Sequence, residues 1–131
     1  MEMLKEFKKI IGNNSYSVLL DMLKEIGPAA RTQRISVVIG AMLRFALNKC
    51  IIDGLDDKIC LALITIDEEP YLVGEITDEY EVLAALIDNL CREAGMKNYR
   101  ESAKGDSYSI AENAIAEYAS WYNMPWEDYY E

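Results

Sequence analysis

Lys58-Ile-Cys-Leu-Ala-Leu-Ile-Thr-Ile-Asp-Glu-Glu-Pro-Tyr-Leu-Val-Gly-Glu-Ile76 is the stretch on which the fold class turns. The apolar run Ile59 to Ile66 has the length of a buried strand, is enriched in Ile and Thr, and ends in the turn-forming sequence Asp67-Glu68-Glu69-Pro70. Tyr71 to Ile76 follows as a second short apolar run, so the whole reads as a β-hairpin. Periodicity alone does not separate a short buried strand from a buried helical segment. With Asp56 as an N-cap, Lys58 to Ile66 becomes a helix and the protein an all-α bundle. The hairpin is the preferred reading. It gives an α+β fold, predominantly helical, with about five helices arranged around a central buried one.

Upstream, Leu4, Phe7, Ile10 and Ile11 recur at helical spacing and stop at Gly12-Asn13-Asn14. Ser15 is a natural N-cap for a second helix whose stripe is Val18, Leu19, Met22, Leu23 and Ile26, ended by Gly27-Pro28. A third helix is expected from about Ala29 to Ile52. Between Ile35 and Leu47 it is apolar on nearly every side, the pattern of an element buried all round, so Phe45 is expected in the core. Downstream of the hairpin, Thr77 or Asp78 caps a helix running through Val82, Leu83, Leu86, Ile87 and Leu90 to Gly95. Asp78 and Glu81 stand three apart as in a capping box. Residues 96 to 107 are polar and loop-like, and a last helix spans Ser109 to about Tyr122, before Pro125. Residues 1–125 form one expected domain, and 126–131 an acidic, aromatic tail.

Charge divides the chain end to end. Residues 1 to 52 hold eight Lys and Arg against four acids, a balance of +4. From Asp53 onward five bases face 19 acids, a balance of −14, and the two sum to the net charge of −10. Such asymmetry points to a surface directed at something basic. The N-terminus has no apolar stretch of signal-peptide length, and Ser36, Gly40 and Arg44 interrupt the longest apolar run. Cys50, Cys60 and Cys91 are odd in number and sit among aliphatic neighbours. Free buried thiols in a reducing cytoplasm are the expectation.

Much chemistry is excluded by residue type. The chain has no histidine, so Ser-His-Asp and Cys-His catalysis cannot be assembled. Its glycines, at 12, 27, 40, 54, 74, 95 and 105, write neither a dinucleotide fingerprint nor a P-loop. No Cys-x-x-Cys pair exists for a structural zinc site, and Asp53-Gly-Leu-Asp56-Asp57 lacks the alternating ligands of a calcium hand. No cofactor, metal or catalytic residue is therefore assigned, and the protein is expected not to be an enzyme. Arg31, Thr32, Gln33 and Arg34 at a helix start invite a helix-turn-helix reading. Leu23 stands where that motif needs a small residue, and the net charge opposes phosphate approach.

What remains is binding. Eight of the nine tyrosines and both tryptophans lie in the acidic part. Tyr and Trp anchor interfaces, while carboxylates among them set sign and steer encounter. The expected contact residues are Asp67, Glu68, Glu69, Glu75, Asp78 and Glu79, with Trp126, Glu127, Asp128, Tyr129 and Tyr130 of the tail. The expected partner is a basic protein surface, with no direct nucleic-acid or membrane binding. Carboxylates spaced on a rigid surface substitute for phosphates, so the site on the partner would be a nucleic-acid-binding groove. Small size, strong acidity and absent cofactor motifs resemble the phage-encoded inhibitors of defence nucleases, of anti-CRISPR type, and the resemblance is one of composition. The alternative is a structural or regulatory subunit that oligomerises through its apolar helix and aromatic tail, ahead of a helix-turn-helix regulator or a carboxylate-metal enzyme.

Overall fold

Asp57 starts a helix, not a strand. In the computed structural model, which describes residues 2–26, 32–69, 77–95 and 106–123, Lys58–Glu68 is helical and Asp57 is its N-cap. The described residues form six helices: α1 (Glu2–Ile11), α2 (Asn13–Ile26), α3 (Thr32–Asp53), α4 (Lys58–Glu68), α5 (Asp78–Glu93) and α6 (Asp106–Asn123). No strand occurs among them, so the α+β expectation with its hairpin is replaced by an all-helical bundle.

The physical reason lies in α4. Ile59, Cys60, Ala62, Leu63 and Ile66 are buried, at i, i+1, i+3, i+4 and i+7, while Leu61 between them is 53% exposed. That is a helical face, and an alternating strand would have buried Leu61 with Ile59 and Leu63. Thr65, which favours strands, donates its hydroxyl to the Leu61 carbonyl at 2.8 Å and is satisfied within the helix. The would-be second strand, Tyr71 to Ile76, lies outside the described residues, as do the tail from Trp126 and most of the loop from 96.

α1 buries Leu4, Phe7, Ile10 and Ile11, as their spacing predicts. A single residue, Gly12 with φ 90°, joins it to α2, which begins at Asn13 and not at the Ser15 cap. Only glycine adopts that backbone without strain, so the turn is tighter than three residues of Gly-Asn-Asn suggest. At α5 the N-cap is Thr77, whose side chain accepts the Tyr80 N–H at 3.2 Å. The residue three beyond the cap is then Tyr80, so Asp78 and Glu81 do not form the expected box.

α3 is central but not buried all round. Ile35, Ile39, Leu43, Ala46, Leu47 and Cys50 are buried, whereas Val37 and Phe45 are each 37% exposed and Ile52 is 77% exposed. The expectation of a core Phe45 is thus corrected: α3 contacts α1, α2, α4 and α6, and these leave one of its sides open. By length and composition Ile35–Asp53 could also cross a membrane, yet in this fold it has the one-sided burial of a core helix.

The most extensive helix pair is α3 with α6. Ser36 Oγ lies 3.5 Å from the Ile110 carbonyl, Gly40 meets Ala114 and Tyr118, and Arg44 meets Tyr118. Both helices advance together along these contacts, so they run parallel. Gly40 permits the crossing: a Cβ there would stand 2.9 Å from Glu117 Cβ and 3.2 Å from the Ala114 carbonyl oxygen.

Cys50 and Cys60 form a disulfide with Cα atoms 5.7 Å apart, against the expectation of three free thiols. The reading missed it because ten residues of separation say nothing about proximity until the turn 54–57 folds α4 back on the end of α3. Cys91 is free and buried. The bridge also withdraws the argument from reduced thiols to a cytoplasmic location.

Candidate interaction surfaces

Three features stand out on the described surface: an interlock around Arg44, an acidic edge, and the open side of α3. The interlock was missed in the sequence, where Arg44 reads as an interruption of an apolar run. Its Nε and one terminal nitrogen donate to the Tyr118 carbonyl at 3.0 and 2.7 Å, and the other terminal nitrogen bonds the Asp67 carboxylate. The guanidinium carbon lies 4.4 Å from the Tyr118 ring centroid. Tyr118 in turn donates its hydroxyl to the Leu63 carbonyl at 2.7 Å. One residue from each of α3, α4 and α6 therefore meets a second from α4. An arginine within an apolar helix is the signal that could have found the site, because such a charge needs built partners.

Desolvation is the largest influence on the Tyr118 hydroxyl and pushes its pKa far up. The Arg44 charge opposes the shift and the Asp67 charge adds to it. Burial likewise pushes the Cys91 thiol up to about 12, with Asp88 contributing. Burial thus disfavours the ionised form of both groups, which is the more reactive one.

The expected contact residues divide among these features. Asp67 belongs to the interlock, its side chain only 20% exposed. Glu68 and Glu69 are exposed at the C-terminal end of α4. Asp78 is exposed and Glu79 half-buried in the first turn of α5, beside an exposed Glu81. α4 packs on α5, so these two groups belong to neighbouring helices. Glu75, Trp126, Glu127, Asp128, Tyr129 and Tyr130 lie outside the described residues.

The two acidic helix ends differ electrostatically. Asp78, Glu79 and Glu81 sit at a helix N-terminus, where backbone N–H groups favour negative charge. Glu68 and Glu69 sit at a C-terminus, where unpaired carbonyls already present negative partial charge. Between Asp53 and Gly95 the described bases are Lys58 and Arg92, and Arg92 pairs with Asp88 at 3.1 Å. Among the described residues, no group of three or more His, Cys, Asp or Glu is placed to hold a metal ion. The helix that a helix-turn-helix reading would send into DNA is α3, whose Ser36, Gly40 and Arg44 face α6 instead.

No protein-family model, curated protein sequence or solved structure matches the chain.

Proposed function

We propose that the protein is a non-catalytic binding module whose acidic half docks on a basic protein surface of the kind that otherwise holds nucleic acid. The observation that carries this reading is the exposure of Glu68, Asp78 and Glu81 on helix ends that are fixed by a packed core. Carboxylates presented on rigid elements lose little freedom on binding, so more of their attraction survives as affinity. At the end of α4, a cationic partner would also relieve the unfavourable meeting of carboxylates with helix carbonyls. Displaced counterions and long-range steering favour the same encounter that phosphates enjoy.

The compositional resemblance to phage-encoded inhibitors makes a defence nuclease the first class of partner to try. The test is affinity purification from native cells followed by binding kinetics with the purified partner. Association should slow as salt rises and slow again when Glu68, Asp78 and Glu81 are reversed to Lys. DNA or RNA should compete. A partner indifferent to salt, to the reversals and to nucleic acid would refute the reading.

A further inference from the structure

α3 ends at a corner that is fastened twice. Gly54, at φ 63°, closes the helix in a left-handed cap: its N–H donates to the Ile51 carbonyl at 3.3 Å, and the Leu55 N–H to the Cys50 carbonyl at 2.9 Å. The Cys50–Cys60 bridge then ties the last turn of α3 to the first turn of α4. This fixed corner keeps apolar surface in water. Ile51 and Ile52 are 62% and 77% exposed, more than any other large apolar residue described, and Leu61 is 53% exposed. The bridged Cα atoms are 5.7 Å apart, so Ile51 and Leu61, each the next residue in the chain, stand within about 13 Å of one another.

Leu61 also opens a face of α4. At about 100° per residue, Leu61, Ile64, Thr65 and Glu68 share one side of the helix, with Leu61 and Glu68 nearly in line and about 10 Å apart. Leu61 and Glu68 are exposed, and Ile64 and Thr65 half-buried between them. From corner to helix end the strip is therefore apolar in the middle and acidic at both ends, with Asp53 and Asp56 exposed at the corner and Glu68 at the other end. The bases nearest in sequence are Lys58, at the edge of the strip, and Lys49, whose ammonium lies 5.5 Å from the Phe45 ring centroid, a turn back from the corner.

We propose that this strip is the apolar anchor of the docking surface and that its occupant is a cationic amphipathic helix of the partner, with aliphatic side chains over Ile52 and Leu61 and Lys or Arg at either end. The inference rests on the acidic-docking reading and adds to it the form of the partner. Carboxylates at both ends of the strip set the sign of what flanks the apolar centre. Aliphatic side chains held at a capped and bridged corner lose little freedom on contact, as an anchor requires. Among the described residues no strand offers an edge to an extended peptide. A helix packs on such a strip, because its own side chains at i, i+3, i+4 and i+7 match the spacing of Leu61, Ile64, Thr65 and Glu68.

Calorimetric titration of the full chain with a synthetic helical peptide of leucine and lysine, leucines along one face, tests it. The same peptide with glutamate in place of lysine should bind at least about tenfold more weakly. Ile52→Ser and Leu61→Ser should each weaken binding of the lysine peptide about tenfold while leaving the circular dichroism spectrum and thermal midpoint intact. Val18→Ser, at an exposed apolar position of α2, should leave binding unchanged. No binding, equal binding of the two peptides, or an equal loss from Val18→Ser would each overturn the inference. Binding lost on reversing Asp78 and Glu81 to Lys but indifferent to Ile52→Ser and Leu61→Ser would overturn it and leave the acidic-docking reading standing. Indifference of the native partner to salt and to charge reversal would refute that reading itself.

Discussion

Arg44 grips Tyr118 twice, through two hydrogen bonds to its carbonyl oxygen and through the face of its ring. The pair ties the middle of α3 to the far part of α6, and Asp67 locks the guanidinium from α4. Arg44→Ala should lower stability by about 2–4 kcal/mol, because it leaves the part-buried Asp67 carboxylate without its guanidinium and removes two hydrogen bonds that join α3 to α6. Arg44→Lys should recover only part of this, since an ammonium cannot reproduce the planar fork. Urea denaturation midpoints of the two variants check the order.

Gly40 is the next test, because two effects oppose each other there. Alanine gains about 1 kcal/mol of helix propensity over glycine. Its Cβ, however, would stand 2.9 Å from Glu117 Cβ and close to α6 backbone atoms that cannot move alone. Forced overpacking costs about 1–3 kcal/mol, so Gly40→Ala should lower the thermal midpoint and Gly40→Leu should prevent folding. A midpoint raised by Gly40→Ala would mean that α3 and α6 are farther apart than described.

For the disulfide, alkylation in denaturant without reductant should label Cys91 alone, and after reduction all three cysteines. Closing a loop of this length restricts the unfolded chain and stabilises the fold by about 3 kcal/mol. Cys60→Ala should lose a comparable amount and leave the protein indifferent to reductant. In the folded protein, Cys91 should react slowly at neutral pH and quickly once the chain unfolds.

Alkaline pH should destabilise the fold. Cys91 and Tyr118 have folded pKa values raised above their ordinary 9.0 and 10.0, with burial the largest cause in each. Below pH 9 both are neutral in either state and their contribution is whole. As pH rises past 9 for the thiol and 10 for the phenol, the unfolded chain ionises first, so stability falls through the range up to the folded values. Tyr118→Phe should flatten the upper part of this fall, at the cost of the hydrogen bond to Leu63. Thermal midpoints at pH 8 and above pH 10, with and without the substitution, measure it.

The helices were legible where apolar residues lay on one face. Leu4, Phe7, Ile10 and Ile11 placed α1, and Leu83, Leu86, Ile87 and Leu90 placed α5, because each stripe is narrow and its polar side unmistakable. α4 was not legible, since Leu61 and Ile64 interrupt the polar side that would have marked a helix. Phe45 was misplaced for a related reason: an all-round apolar segment states what could be buried, while burial depends on how many neighbours arrive. Asp67 was read as a free surface carboxylate. Its partner, 23 positions away, becomes visible only when α3 and α4 are folded together. The acidic character of Glu68, Glu69, Asp78 and Glu79 needed only counting, and the exposure of Glu68, Glu69 and Asp78 follows from the cost of burying charge.

The parallel pairing of α3 and α6 has a consequence for how the molecule is made. Parallel neighbours cannot be joined by a short turn, and Arg44 and Tyr118 stand 74 positions apart in the chain. During synthesis, α1 to α5 emerge before the helix that covers Ser36 and Gly40 exists, so that side of α3 waits uncovered until α6 follows. Contacts so distant in sequence slow folding relative to bundles whose adjacent helices pair in order. A nascent chain stalled ahead of Asp106 would therefore present α3 bare on two sides, and is the species in which aggregation or chaperone capture should concentrate.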